Sequence, residues 1–198
     1  MRSRFGGLLT PLADALVRAG LHPNTMTLLG LAVNIAGALA LTQGYMTVGG
    51  LLILLGGPID ALDGAMARRK GQSNPFGAFV DSVTDRWSEL LILLGLLYYY
   101  ASRDDMLYSL LVFVAAMGSV MVSYTKARGE ALGFDCSVGV LTRMERYLVM
   151  APALVLNLPW LGLWIIAVLA NVTALQRAAH VRQQALRRMV KHEKPPGD

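Results

Sequence analysis

Charge is scarce in this chain: only 16% of its 198 residues are Asp, Glu, Lys or Arg, where a soluble domain carries about a quarter. With 55% hydrophobic residues and a mean hydropathy of +0.48, that deficit excludes an ordinary soluble core and points to long apolar runs in a single domain. Cysteine is almost missing. The lone Cys136 excludes an intrachain disulfide and a Cys-built metal site. The three histidines, His22, His180 and His192, are scattered, so none is assigned to metal. Residues 1–7 hold neither the apolar core nor the small-residue cleavage site of a secretory leader.

Acid is the scarcer charge, 13 Asp and Glu against 18 Lys and Arg, for a formal net charge of +5 and a pI near 9.6. The bases flank apolar runs rather than forming a stripe, so the expected anionic partners are lipid headgroups and phosphorylated substrates, not nucleic acid. A spanning helix needs about 20 mostly apolar residues. Six candidates run over 25–43, 46–67, 76–99, 106–125, 145–158 and 160–179, the fifth being short. Before them Leu8, Leu9, Leu12, Ala15 and Leu16 share one helical face, the pattern of an interfacial amphipathic helix, which Gly20 ends before the turn at His22-Pro23-Asn24. The expected fold is an all-α integral membrane protein, one domain over 1–192, with 193–198 as a disordered tail.

Bases gather on alternate loops: Arg2, Arg4 and Arg18, then Arg68, Arg69 and Lys70, then Lys126, Arg128 and Arg143, then Arg182, Arg187, Arg188, Lys191 and Lys194. The opposite loops hold only Arg103. By the positive-inside rule both termini lie in the cytoplasm.

Acid sits inside two of the spans. Asp60 and Asp63 are three residues apart and Asp81 and Asp85 four apart, spacings that put each pair on one helical face. A short loop over 69–75 predicts an antiparallel hairpin that brings all four carboxylates to the cytoplasmic end. Carboxylates in apolar surroundings protonate or recruit a cation, and a hard divalent ion with oxygen ligands suits them; two ions would neutralise four. Gly56, Gly57, Gly64, Ala67 and Gly77 allow close approach of backbones. Gly64 and Gly77 also leave room for a bulky group, and Arg68, one turn beyond Gly64, can fork onto a phosphate. Acid, metal, glycine and arginine together describe a diphosphate site. Glu89 reads as a packing partner of Arg86, and Tyr98-Tyr99-Tyr100 as an interfacial aromatic belt.

Asp60, Asp63-Gly64, Ala67-Arg68, Gly77, Asp81 and Asp85 match every fixed position of the pattern D-x2-D-G-x2-A-R-x8-G-x3-D-x3-D, so the chain resembles the CDP-alcohol phosphotransferases over nearly its whole length. The resemblance implies that Asp60, Asp63 and Asp81 hold one metal, usually magnesium with manganese possible. Asp60, Asp81 and Asp85 would hold the second, with Asp85 also the general base. It implies that Asp63, Gly64, Arg68, Gly77 and the Asn24–Thr27 turn, with Thr25, contact the CDP-linked lipid. At Asn74 the family often has Ser or Thr. Homodimers are common in the family.

A second basic group, Ser123, Lys126 and Arg128 with Arg143, Arg146 and Arg177, faces the carboxylates' side and suits an acceptor carrying its own phosphate. Ser123, Lys126, Arg128, Arg146 and Arg177 resemble the inositol-phosphate-binding set of the phosphatidylinositol-phosphate and archaetidylinositol-phosphate synthases, although that group often has Pro where Met144 stands. The competing readings are a phosphatidylglycerophosphate synthase using glycerol 3-phosphate, a cation transporter, and a non-catalytic scaffold. A transporter path would carry polar groups across the midplane, and a scaffold would need no Gly-Asp-Arg constellation.

Overall fold

A computed structural model describes residues 23–69 and 75–193, with the side chains of 23–24, 60–69 and 190–193 left aside. Every regular element among the described residues is a helix: α1 (Pro23–Thr42), α2 (Met46–Arg69), α3 (Pro75–Ala101), α4 (Met106–Ala131), α5 (Arg143–Val155) and α6 (Pro159–Glu193). Three are long and apolar enough to cross a membrane, at Thr25–Thr42, Met106–Ala131 and Pro159–Met189, and Met46–Ile59 is a shorter apolar helix. The amphipathic segment at 8–19 and most of the expected hairpin loop lie outside the described residues.

The helix starts fall within two residues of the expected spans, but some ends do not. α4 runs six residues past 125, and α6 runs fourteen past 179. Apolar content marks where a bilayer would end, whereas the Ala, Gln, Leu, Arg and Met that follow remain good helix formers. The last residue of α6, Glu193, is the first of the segment expected to be a tail; the rest of that tail lies outside the described residues.

α1 packs against both α2 and α3, α5 against α2 and α6, and α4 against α3 and α6. The core that results is Leu41, Ile53, Leu96, Val112, Leu154 and Leu163 with their neighbours. Backbones meet closely where glycine permits. A Cβ added at Gly95 would stand 2.6 Å from the Ala38 carbonyl oxygen, so α3 lies directly on α1.

α2 contains Pro58, which has no N–H to give the Leu54 carbonyl one turn back. Tyr147 of α5 repairs this. Its hydroxyl reaches the Leu54 and Ile53 carbonyls at 2.8 and 3.0 Å and accepts from the Gly57 N–H at 3.2 Å. Gly57 makes the approach possible, since a Cβ there would lie 2.5 Å from the Tyr147 oxygen.

The segment 132–142 between α4 and α5 is strapped to α6. Thr173 accepts from the Leu141 N–H at 3.0 Å, and Gln184 bonds both the N–H and the carbonyl of Asp135 at 3.0 and 2.7 Å. Gly139 has φ +128°, and a Cβ there would collide with the Thr173 methyl, so both backbone and space require glycine. Asp135 accepts from the Ser137 hydroxyl and N–H, which holds its carboxyl below the usual range. Burial pushes the neighbouring Cys136 thiol up.

Candidate active site

α3 carries two of the expected acids at its N-terminal end. Asp81 is exposed, and Asp85, one turn on, is 7% exposed. Two cations meet Asp85. Arg143, the first residue of α5, forms an ion pair with Oδ2, and the Arg86 guanidinium stands 3.7 Å from the same oxygen while donating to the Ser82 carbonyl at 2.6 Å. α5 begins there because Thr142 caps it: Glu145 accepts from the Thr142 N–H at 2.7 Å, closing a capping box. The cap therefore fixes the register that sets Arg143 beside Asp85.

Asp85 opens onto a cavity of about 60 Å³ that also includes Asn34, Ser88, Glu89, Arg143 and Arg146, with Ile53, Ile92 and Met150 among its apolar walls. A buried water needs roughly 10–15 Å³ by this measure, so the space takes several.

The expected phosphate-binding residues separate into two groups. Ser123 is half-buried, and Lys126 and Arg128 are exposed at the end of α4, with Lys126 3.8 Å from Glu130. Arg146 and Arg177 are buried at 2% and 4% exposure. Arg146 forks onto Glu89 through Nε and Nη2 at 2.5 and 2.8 Å and gives Nη1 to the Leu141 carbonyl at 3.3 Å. Arg177 donates to the Val138 and Val122 carbonyls at 2.9 and 2.6 Å. These two guanidiniums thus tie α5 to α3, and α6 to α4 and the 132–142 segment. Glu89, expected to pair with Arg86, pairs with Arg146 instead. It lies one turn beyond Asp85 on α3, within reach of α5, while Arg86 turns back to Asp85 and Ser82.

Of the residues expected to contact the CDP-linked lipid, Thr25 is exposed, Thr27 buried and Gly77 half-buried. Asp60, Asp63, Gly64 and Arg68 lie on the last turns of α2, their side chains outside the described residues, as are all of Asn74 and the side chain of Asn24. Among the described residues no three carboxylate, histidine or cysteine groups come together as a metal set; the side chains of Asp60 and Asp63 are not among them. The donor chemistry nevertheless fits a hard divalent ion: Asp81 and Asp85 offer carboxylate oxygen alone. Sequence patterning missed Asn34 and Tyr147, single polar residues in apolar runs. It could not see that Arg143 reaches Asp85, because that contact spans 58 positions between two helices.

Comparison with known proteins gives the site a context. The family model for CDP-alcohol phosphatidyltransferase matches residues 20–176. A phosphatidylinositol phosphate synthase of Streptomyces avermitilis is 39% identical over 93% of this chain and 82% of its own length. An archaetidylinositol phosphate synthase of Pyrococcus horikoshii is 30% identical over 89% of this chain and 92% of its own. The crystal structure of Mycobacterium tuberculosis phosphatidylinositol phosphate synthase with CDP-DAG bound superposes with a TM-score of 0.81 at 33% identity, covering 87% of this chain and 92% of that one. The same enzyme in complex with manganese and citrate also gives 0.81, at 33% identity over 87% of this chain and 88% of that one.

Proposed function

Because the chain belongs to the CDP-alcohol phosphatidyltransferase family of membrane transferases, we propose that it moves a phosphatidyl-type group from a CDP-linked lipid to a hydroxyl of inositol phosphate and releases CMP. The observation that carries this reading is the placement of Arg143 on Asp85. A guanidinium beside a buried carboxylate brings an anion-binding group to the base, which suits an acceptor that is both an alcohol and a phosphate. The names of the relatives support the same acceptor.

In this reading Asp85 takes the proton of the acceptor hydroxyl, and the freed oxygen attacks the β-phosphorus in line as CMP leaves. Asp60, Asp63, Asp81 and Asp85 would hold divalent metal, two ions of magnesium or manganese, whose positive charge would offset that of the diphosphate and of the departing CMP. Gly64, Arg68, Asn74, Gly77 and the Asn24–Thr27 turn, with Thr25, hold the CDP-linked lipid. The exposed Lys126 and Arg128 and the half-buried Ser123 form the rim that receives the acceptor phosphate with Arg143. Arg146 and Arg177 act behind that rim, by fixing α5 and the 132–142 segment. The chain spans the cell membrane six times after an interfacial helix, with both termini and the site on the cytoplasmic side, and pairs as a homodimer.

CMP release by purified protein with magnesium and CDP-diacylglycerol tests the reading, with inositol phosphate, glycerol 3-phosphate and free inositol offered in parallel. Release only with inositol phosphate supports it. Release with glycerol 3-phosphate alone replaces it by the phosphatidylglycerophosphate reaction, and chelation of the metal should stop either.

A further inference from the structure

One buried polar atom beside the site has no hydrogen-bond partner. Asn34, midway along α1, is 4% exposed, and its Oδ1 receives no hydrogen bond. A buried acceptor left without a donor is costly, and more so where hydrocarbon surrounds the helices. Its surroundings are kept clear for it. A Cβ added at Gly56 of α2 would stand 2.9 Å from Oδ1 and 3.3 Å from Nδ2, so glycine there leaves the amide in place.

Asn34 lines the same cavity as Asp85, Glu89, Arg143 and Arg146. An amide oxygen only accepts, so its complement is a hydroxyl, an N–H or water, not an anion. Thr27 lies seven residues earlier on the same face of α1, and that helix thus runs from the proposed nucleotide end of the site to the inner wall of the cavity. A phosphorylated polyol presents a phosphate, a reacting hydroxyl and further hydroxyls. Arg143 suits the first and Asp85 the second, and an unpartnered oxygen suits a third group that donates.

We propose that Asn34 is a specificity-determining residue for the acceptor, its Oδ1 accepting a hydrogen bond from a hydroxyl of the phosphopolyol other than the one that reacts. The assignment rests on the acceptor class proposed above, but it requires only that the acceptor be a phosphopolyol and not that it be inositol phosphate.

The test uses purified full-length protein and CMP release, with kinetic constants for both substrates. Asn34→Ala should lower kcat/KM for the phosphopolyol by roughly tenfold, the effect of one hydrogen bond to a buried oxygen, and leave the KM for CDP-diacylglycerol within about twofold. Asn34→Ser, which keeps a smaller acceptor, should recover part of the loss. Deoxy acceptors, each lacking one non-reacting hydroxyl, should include one that is penalised in the wild type and not in Asn34→Ala. Gly56→Ala keeps the amide but displaces it, and should show the same acceptor-selective loss; it carries the test if Asn34→Ala does not fold. The proposal is overturned if acceptor kcat/KM changes less than twofold, if both substrates suffer together, or if every deoxy penalty persists in Asn34→Ala. Failure of the wild type to release CMP with any phosphopolyol would instead sink the acceptor class itself, and that is visible before any variant is made.

Discussion

Removing Glu89 should damage the protein more than removing it together with its partner. Arg146 is 2% exposed and directs two of its nitrogens at Glu89. Glu89→Ala therefore strands a buried guanidinium, leaving it the 3.3 Å contact to the Leu141 carbonyl and the few waters that the adjoining cavity can hold. Breaking a buried pair from one side costs about 3–5 kcal/mol. Glu89 is itself only partly buried, which sets the expectation at the lower end, about 3 kcal/mol. For a chain of this size that is about 6–12 °C in Tm. Arg146→Met should cost less, because the orphaned Glu89 carboxylate can hydrate through its exposed edge. Replacing both, as Glu89→Leu with Arg146→Met, should return the protein to within about 1 kcal/mol of wild type, since apolar substitutes avoid desolvating two charges. Tryptophan fluorescence melts in one detergent at one scan rate would rank the four proteins. A Glu89→Ala shift under about 2 °C, or a double variant as unstable as Glu89→Ala alone, would refute the reasoning. Because the pair anchors α5 one turn from Arg143, the stable double variant should also keep Arg143 in place and retain CMP release.

Tyr147→Phe should lower stability by about 1–3 kcal/mol, because the Leu54 carbonyl left without a helix partner by Pro58 loses its donor; Pro58→Ala in the same background should recover most of that loss in a thermal melt. Asp85→Asn should cut CMP release by about 10²–10⁴, measured with saturating metal, and turnover near the wild-type rate would remove Asp85 as the base. Cys136, fully buried with its thiol pushed up by burial, should react with a maleimide only on unfolding. Its sign in pH is fixed: the unfolded thiol ionises first, so the contribution is intact below the ordinary thiol range and lost as pH rises through it. Cys136→Ser should flatten that alkaline decline in a Tm series.

Much of the architecture was legible because it follows from local rules. Apolar runs located the helix starts, and the spacing of Asp81 and Asp85 put both on one face of α3. The resemblance also named the family that the comparisons then showed. Arg146 and Arg177 were harder. A motif records that an arginine is required, not whether it meets a substrate or a carbonyl, and their partners Glu89, Leu141, Val138 and Val122 are set by how four helices cross. Asn34 was invisible for a related reason. One amide in an apolar run has no periodicity, and it gains meaning only when Gly56 of α2 is seen beside it.

α6 continues without a break for 35 residues, about 52 Å at 1.5 Å per residue, against a hydrocarbon layer of about 30 Å. A rod this long offers a mechanical handle. A helical fusion partner joined in phase to this helix would inherit the orientation of the bundle and add rigid mass to it. Such added mass would help align single particles in electron microscopy, and the site could then be imaged with each substrate in turn.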